Sequence, residues 1–112
     1  MAAPRLNVRL VLEAQERQGD GMGGYRLTWR EQGVIWADLQ AGSGRERFAE
    51  VGPESVVRWR ITMRGAPAGD PRRPLPGQRF RLGQRLFPIE AVAERDAGGR
   101  WLTCFAREED EA

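Results

Sequence analysis

Apolar residues return at every second position over most of this chain. Leu6, Val8, Leu10, Leu12 and Ala14 are interleaved with Arg5, Asn7, Arg9 and Glu13, and only Val11 breaks the rhythm. Period two is the pattern of a half-buried strand. Tyr25, Leu27 and Trp29 alternate with Arg26, Thr28 and Arg30 and predict a second strand. Glu31-Gln32-Gly33 reads as a short turn or bulge before Val34 to Leu39 resumes as strand. Val57, Trp59, Ile61 and Met63 alternate with Arg58, Arg60, Thr62 and Arg64, the cleanest strand in the chain. Arg79 to Leu82, Arg85 to Ala93 and Arg100 to Ala106 complete about six. In the sixth-decade strand and its neighbours the aromatic residues Trp29, Trp36, Trp59 and Trp101 all sit among apolar residues two positions away, so they read as core. Phe87, Ile89, Ala91 and Ala93 are expected on one face, and Pro88 predicts an edge position or a bulge.

Punctuation supports hairpins rather than helices. Gly19-Asp20-Gly21-Met22-Gly23-Gly24 is a turn-rich connector, because so many glycines do not hold regular structure cheaply. Gly83-Gln84 suits a two-residue hairpin turn, and Ala97-Gly98-Gly99 another. Gly65 to Gly77 holds four prolines and reads as a loop. The fold class is therefore all-β, a small β-barrel of about six antiparallel strands. One domain is expected over residues 1–106, with 107–112 as an acidic, frayed tail.

One stretch breaks the alternation. Gln40 to Ser55 opens with Gly42 and Gly44, carries Arg45, Glu46 and Arg47, and closes at Gly52-Pro53. It predicts a long projecting loop. A short helix over Gly44 to Glu50 is the one helix considered, and its only apolar members are Phe48 and Ala49.

Composition narrows the chemistry. The chain has 112 residues, one cysteine and no histidine, and every one of its 18 basic residues is arginine. With no histidine, the commonest general base and metal ligand is missing. Cys104 lies mid-strand without a basic partner and reads as a core thiol. Ser43 and Ser55 lack a candidate base. The Gly19 to Gly24 run lacks the lysine and hydroxyl of a phosphate-binding loop. No catalytic, cofactor or metal site is therefore predicted, and no enzyme. No export signal or apolar membrane-spanning run is expected, which points to synthesis in the cytoplasm.

Net charge is only +2, but it is unevenly spread. Arg58, Arg60, Arg64, Arg72, Arg73, Arg79, Arg81 and Arg85 face one acid, Asp70, within that span, whereas Glu108 to Glu111 is acidic. Separated signs favour contact between copies or a nucleic-acid face. The eight arginines form a candidate basic interaction face able to track phosphates. A nucleic-acid-binding small β-barrel thus stands as an alternative reading.

The ordered set of features resembles the head–tail joining proteins of long-tailed phages, also called head-completion, head-closure or stopper proteins. The resemblance rests on Leu6 to Ala14, Asp20-Gly21-Met22-Gly23-Gly24 leading to Trp29, and Val34 to Leu39. It continues through Ser43-Gly44-Arg45-Glu46-Arg47-Phe48, Val57 to Arg64, Arg79 to Leu82 and Phe87 to Val92. The proline-rich loop and the arginine content depart from it. The resemblance implies a structural connector between the portal–adaptor complex and the tail. It implies a ring of roughly six or twelve copies that retains packaged double-stranded DNA and receives the tail. Its partners would be adaptor and portal proteins, tail-terminator or tail proteins, and the DNA in the channel. Its location would be the particle of a tailed phage, a prophage or a gene transfer agent. A tail-terminator role is the alternative within that class. On this resemblance, Ser43, Gly44, Arg45, Glu46, Arg47, Phe48 and Glu50 form the channel or inter-subunit loop.

Overall fold

The computed structural model describes residues 3–42, 48–51 and 54–110. In chain order the strands are β1 (Val8–Gly19), β2 (Tyr25–Ala41), β3 (Phe48–Val51), β4 (Glu54–Arg64), β5 (Arg79–Leu82), β6 (Arg85–Glu94) and β7 (Trp101–Asp110). All pairings are antiparallel. The strands follow the order β2-β1-β5-β6-β7-β4, and β4 pairs back to β2. Six strands thus close into a small barrel, which leaves them few bare edges. β3 lies outside the ring and, among the described residues, pairs with β4 alone.

The inward positions fill the barrel. Leu10, Leu12, Ile61, Met63, Phe80, Phe87, Leu102 and Cys104 are fully or almost fully buried, with Ala37, Ile89 and Ala106 beside them. Every ring strand contributes. Phe80 pairs across to Phe87 and to Leu12, so two rings and a leucine form the centre. Burying each such side chain is worth about 1.5–3 kcal/mol.

The tryptophans depart from expectation: none of the four is among the buried core residues. Trp59 packs edge-on against Phe87 with centroids 6.2 Å apart, and Trp29 and Trp101 are half-buried. Trp36 is 53% exposed. A six-strand barrel is narrow, and its lumen is already filled by two phenylalanines and branched side chains. An indole also needs an acceptor for its N–H, which an apolar lumen does not supply.

Two bulges adjust the ladders. Leu12 pairs with Gly33 and Glu13 with Glu31, which leaves Gln32 as an extra residue at the expected site. A second shift falls between Ile89 and Ala91, just after Pro88. It reverses the facing of the following residues. Ala91 and Ala93, expected inside, are exposed, and Val92 packs on the core instead.

β4 and β5 stand on opposite sides of the ring, so the Gly65 to Gly77 loop crosses a mouth of the barrel. Pro74 is fully buried there, and Arg73 braces the loop by donating to the Ala66 carbonyl at 2.8 Å. Gly65 enters the loop against the β6–β7 turn. A Cβ at this position would come within 2.0 Å of the Gly99 carbonyl oxygen, so only glycine fits.

The helix considered over Gly44 to Glu50 does not form in its described part, since Phe48 to Glu50 belong to β3. Pairing with β4 satisfies their backbone groups, which an isolated helical turn with two apolar residues does not reward. The acidic tail is also strand as far as Asp110, because β6 and β4 both offer it a ladder.

Candidate interaction surfaces

Two hairpins carry the barrel's strands beyond its wall. β2 connects them. It enters the barrel from the β1–β2 hairpin and leaves at Ala41 on the way to β3, so the two lie at opposite ends of the barrel.

At the β3–β4 end, Phe48, Ala49, Glu50 and Val51 pair with Val57, Val56, Ser55 and Glu54. Of the sequence-predicted loop, Phe48 and Glu50 therefore sit in a strand. Ser43, Gly44, Arg45, Glu46 and Arg47 lie outside the described residues. Just inside this end, Arg85 forks onto Glu108 with Nε at 2.7 Å and Nη2 at 3.1 Å, and the Trp59 indole donates to the same carboxylate at 2.8 Å. The bond from Arg85 holds the Glu108 carboxyl below its usual range; burial opposes it, and the Trp59 bond adds a smaller lowering. The Arg85 guanidinium also stands 5.5 Å from the Trp59 ring centre and 5.1 Å from that of Phe87. Thus β6, β7 and β4 are tied together where β3 begins.

The β1–β2 hairpin is the larger projection. β1 pairs with β5 only from Val11 to Glu13, and β2 pairs with β4 only from Ala37 to Ala41. Beyond Glu13 the two strands pair only with each other, an arm of roughly 20 Å at about 3.3 Å per residue. Asp20 builds its tip: its carboxylate accepts from the Met22 and Gly24 amides at 2.7 and 3.1 Å. Gly21 and Gly23 supply the positive φ values, 79° and 85°, that the turn requires.

The arm's root is clamped. Arg79 donates to Glu13 at 2.7 Å and Arg81 to the other carboxylate oxygen at 3.3 Å. The Arg79 guanidinium lies 4.0 Å from the centre of the Trp29 ring, so β5 grips both strands of the arm. The Arg79 and Glu13 side chains are each 12% exposed. The Gln32 bulge sits at the same level, where a bend lets the pair leave the barrel wall.

The eight arginines do not share one face. Arg58, Arg60 and Arg64 lie on the outer side of β4, whereas Arg79 and Arg81 lie on β5, across the ring. Among the described residues, six of the eight reach a carboxylate. Arg58 pairs with Glu90, Arg72 with Asp70, Arg73 with Glu94, Arg79 and Arg81 with Glu13, and Arg85 with Glu108. Arg64 instead stands 5.5 Å from the Trp101 ring centre. The acids that answer β5 and β6 come from β1 and β7, a distance in sequence that the local charge count does not see.

Cys104 is a core thiol. Burial pushes its pKa up to about 12, so the reactive thiolate is suppressed.

Comparison with known proteins adds a family and a fold. The family model described as phage head completion protein matches residues 1–109. A chain in the virion of a native gene transfer agent particle is 52% identical, covers 97% of this chain and all of its own length, and superimposes with a TM-score of 0.78. A protein from Shigella flexneri 2a, solved in solution, shares the fold at 21% identity and a TM-score of 0.72, with both chains fully covered. No curated protein sequence matches the chain.

Proposed function

The chain belongs to the phage head completion protein family, and on that premise we propose that it is a structural part of a gene-transfer-agent or phage particle. Its place is the junction of head and tail. There a ring of copies closes the filled head, keeps packaged DNA from leaking and gives the tail a surface to dock on. The role is mechanical and not enzymatic.

The observation that carries this reading is the 52% identity to a chain of a native gene transfer agent virion, over nearly the whole length of both. The geometry is consistent with it. A DNA conduit works best if it does not hold DNA tightly, since each phosphate neutralised adds affinity. Among the described residues, six of the eight arginines in the basic segment are paired with carboxylates of the same chain, which lowers what is left for phosphates. A closed barrel with hairpins at both ends also has separate surfaces for a neighbour and for a partner above or below. Within this reading the 40–55 segment is the channel-facing or neighbour-contacting element.

The test is a particle lacking the protein. Heads assembled without it are expected to lose packaged DNA and to take no tails, and adding the purified protein back should restore both. Heads that keep their DNA and join tails normally without it would overturn the proposal.

A further inference from the structure

The strand edges of the β1–β2 hairpin have no pairing partner among the described residues. β1 pairs with β5 no further than Glu13, and β2 does not meet β4 before Ala37. The β1 edge beyond Ala14 is polar on both sides: Gln15, Glu16, Arg17 and Gln18. The β2 edge differs. Tyr25, Leu27 and Trp29 lie along its outer side, and past the bulge Val34 and Trp36 take up that side again. Their cross-strand partners, Gly19, Arg17, Gln15, Val11 and Arg9, are the outward residues of β1. Tyr25 is 61% exposed, Leu27 60% and Trp36 53%. A long bare edge, apolar on one side and without proline, is a template for another strand.

Charge defines the strand that fits. From Tyr25 to Arg30 the edge carries Arg26 and Arg30 on its reverse side and no acid. Neither arginine has a carboxylate partner among the described residues. Glu16 stands on the reverse side too, but on β1, the strand farther from this edge. Where β2 and β4 part, an open groove of about 270 Å³ lies between Val34 to Trp36 and Arg64 to Pro67, with Leu6 and Arg72 closing it. A strand laid beside β2 alternates in step with it. Its residues next to Tyr25, Leu27 and Trp29 meet apolar groups, and the residues between them meet Arg26 and Arg30. The complementary segment therefore alternates apolar and acidic residues. A second copy does not offer one from its described segments outside the strands. These are turns, or they hold prolines and arginines with a single acid, as residues 3–7 and 65–78 do.

We propose that an extended segment of another protein of the particle, with apolar and acidic residues in alternation, adds as a strand to the β2 edge from Tyr25 to Arg30. Backbone bonds supply affinity and the alternation supplies selectivity. The Gln32 bulge ends the pairing, and beyond it the groove beside Trp36 receives the segment's next apolar side chain. This rests on the particle reading above and assigns the edge by which the chain holds a partner there.

The test uses particles whose chain carries p-benzoylphenylalanine in place of Leu27 or of Arg26, on opposite sides of the hairpin, with the photo-linked peptides read by mass spectrometry. Both positions should link to one segment of one other particle protein, at neighbouring residues of that segment, and the segment should alternate apolar and acidic residues. A strand at the edge is reached from both sides, whereas a surface lying on the outer side is reached from residue 27 alone. A link from residue 27 alone, links to a second copy of this chain, or no link would overturn the proposal and leave the particle reading standing. Particles that contain no copy of this chain would overturn that reading, and the proposal with it. Arg26→Glu should lower incorporation into particles about tenfold and Arg26→Lys should not, with the melting temperature of the purified chain unchanged in both. Arg26→Glu incorporated at the parent level would overturn the acidic character assigned to the segment.

Discussion

The β1–β2 arm and the β3–β4 hairpin both carry strands past the closed barrel, from opposite ends, but they are joined to it differently. The arm is an extension of two ring strands, and its root is held by Glu13, Arg79, Arg81 and Trp29 in nearly dry surroundings. Among the described residues β3 pairs with β4 alone, over four residue pairs. A strand with one pairing partner opens at a lower free energy than one paired on both sides. The contrast separates two tasks. A surface that must meet a neighbour at a set angle belongs on the clamped projection. A segment that must change position belongs on the lightly attached one.

The clamp gives the largest expected effect. Glu13→Ala leaves Arg79 and Arg81 without their shared carboxylate at a largely buried site, which should cost about 2–3 kcal/mol. That corresponds to a fall in melting temperature of roughly 10 °C. Glu13→Gln should recover part of it. An unchanged melting temperature would erase the difference between the two hairpins.

Glu108 gives the next. Its carboxyl is held below the ordinary value, chiefly by Arg85, so its contribution is present above the unfolded value near 4.5 and is lost as pH falls through the lower folded value. Glu108→Gln should cost about 1 kcal/mol at neutral pH. The gap between variant and parent should close in acid, while the Trp59 indole N–H resonance moves with it. A gap that persists in strong acid would show that charge is not what ties β7 to β4 and β6.

The smallest effect on stability is expected where β3 attaches. Replacing residues 43–52 by a short Gly-Ser link removes β3 but no strand of the closed ring, so the melting temperature should move by only about 1–2 °C. If the segment gates the channel, rings should still form and DNA retention should fail. If it clasps neighbours, the rings themselves should fail. A large drop in melting temperature would show that β3 is part of the stable core.

The barrel was legible because each ring strand hides one face and shows the other, and alternation reports that difference. It fails where no core lies underneath. Gln15 to Gln18 are polar on both sides, so the alternation ends β1 at Ala14, yet the strand continues to Gly19 because β2 pairs with it. The alternation of Tyr25, Leu27 and Trp29, running straight back from the Asp20 to Gly24 turn, was the available sign that a strand must lie opposite them. At residues 48–56 the alternation is weak because β3 and the start of β4 pair with each other outside the ring. The basic segment misled for a different reason. Its charges are answered by Glu13, Glu90, Glu94 and Glu108, which only the closed topology brings near. The tryptophans sat in apolar company along the chain, but a lumen this narrow is filled by phenylalanine and leucine: Trp29, Trp36 and Trp101 turn outward, and only Trp59 packs against the core.

The most direct measurement is electron cryo-microscopy of intact particles at the junction of head and tail. The account predicts a closed ring built of this barrel there, with the DNA end on its head side. Density for the barrel elsewhere in the particle, or a junction that contains no copy of it, would contradict the account.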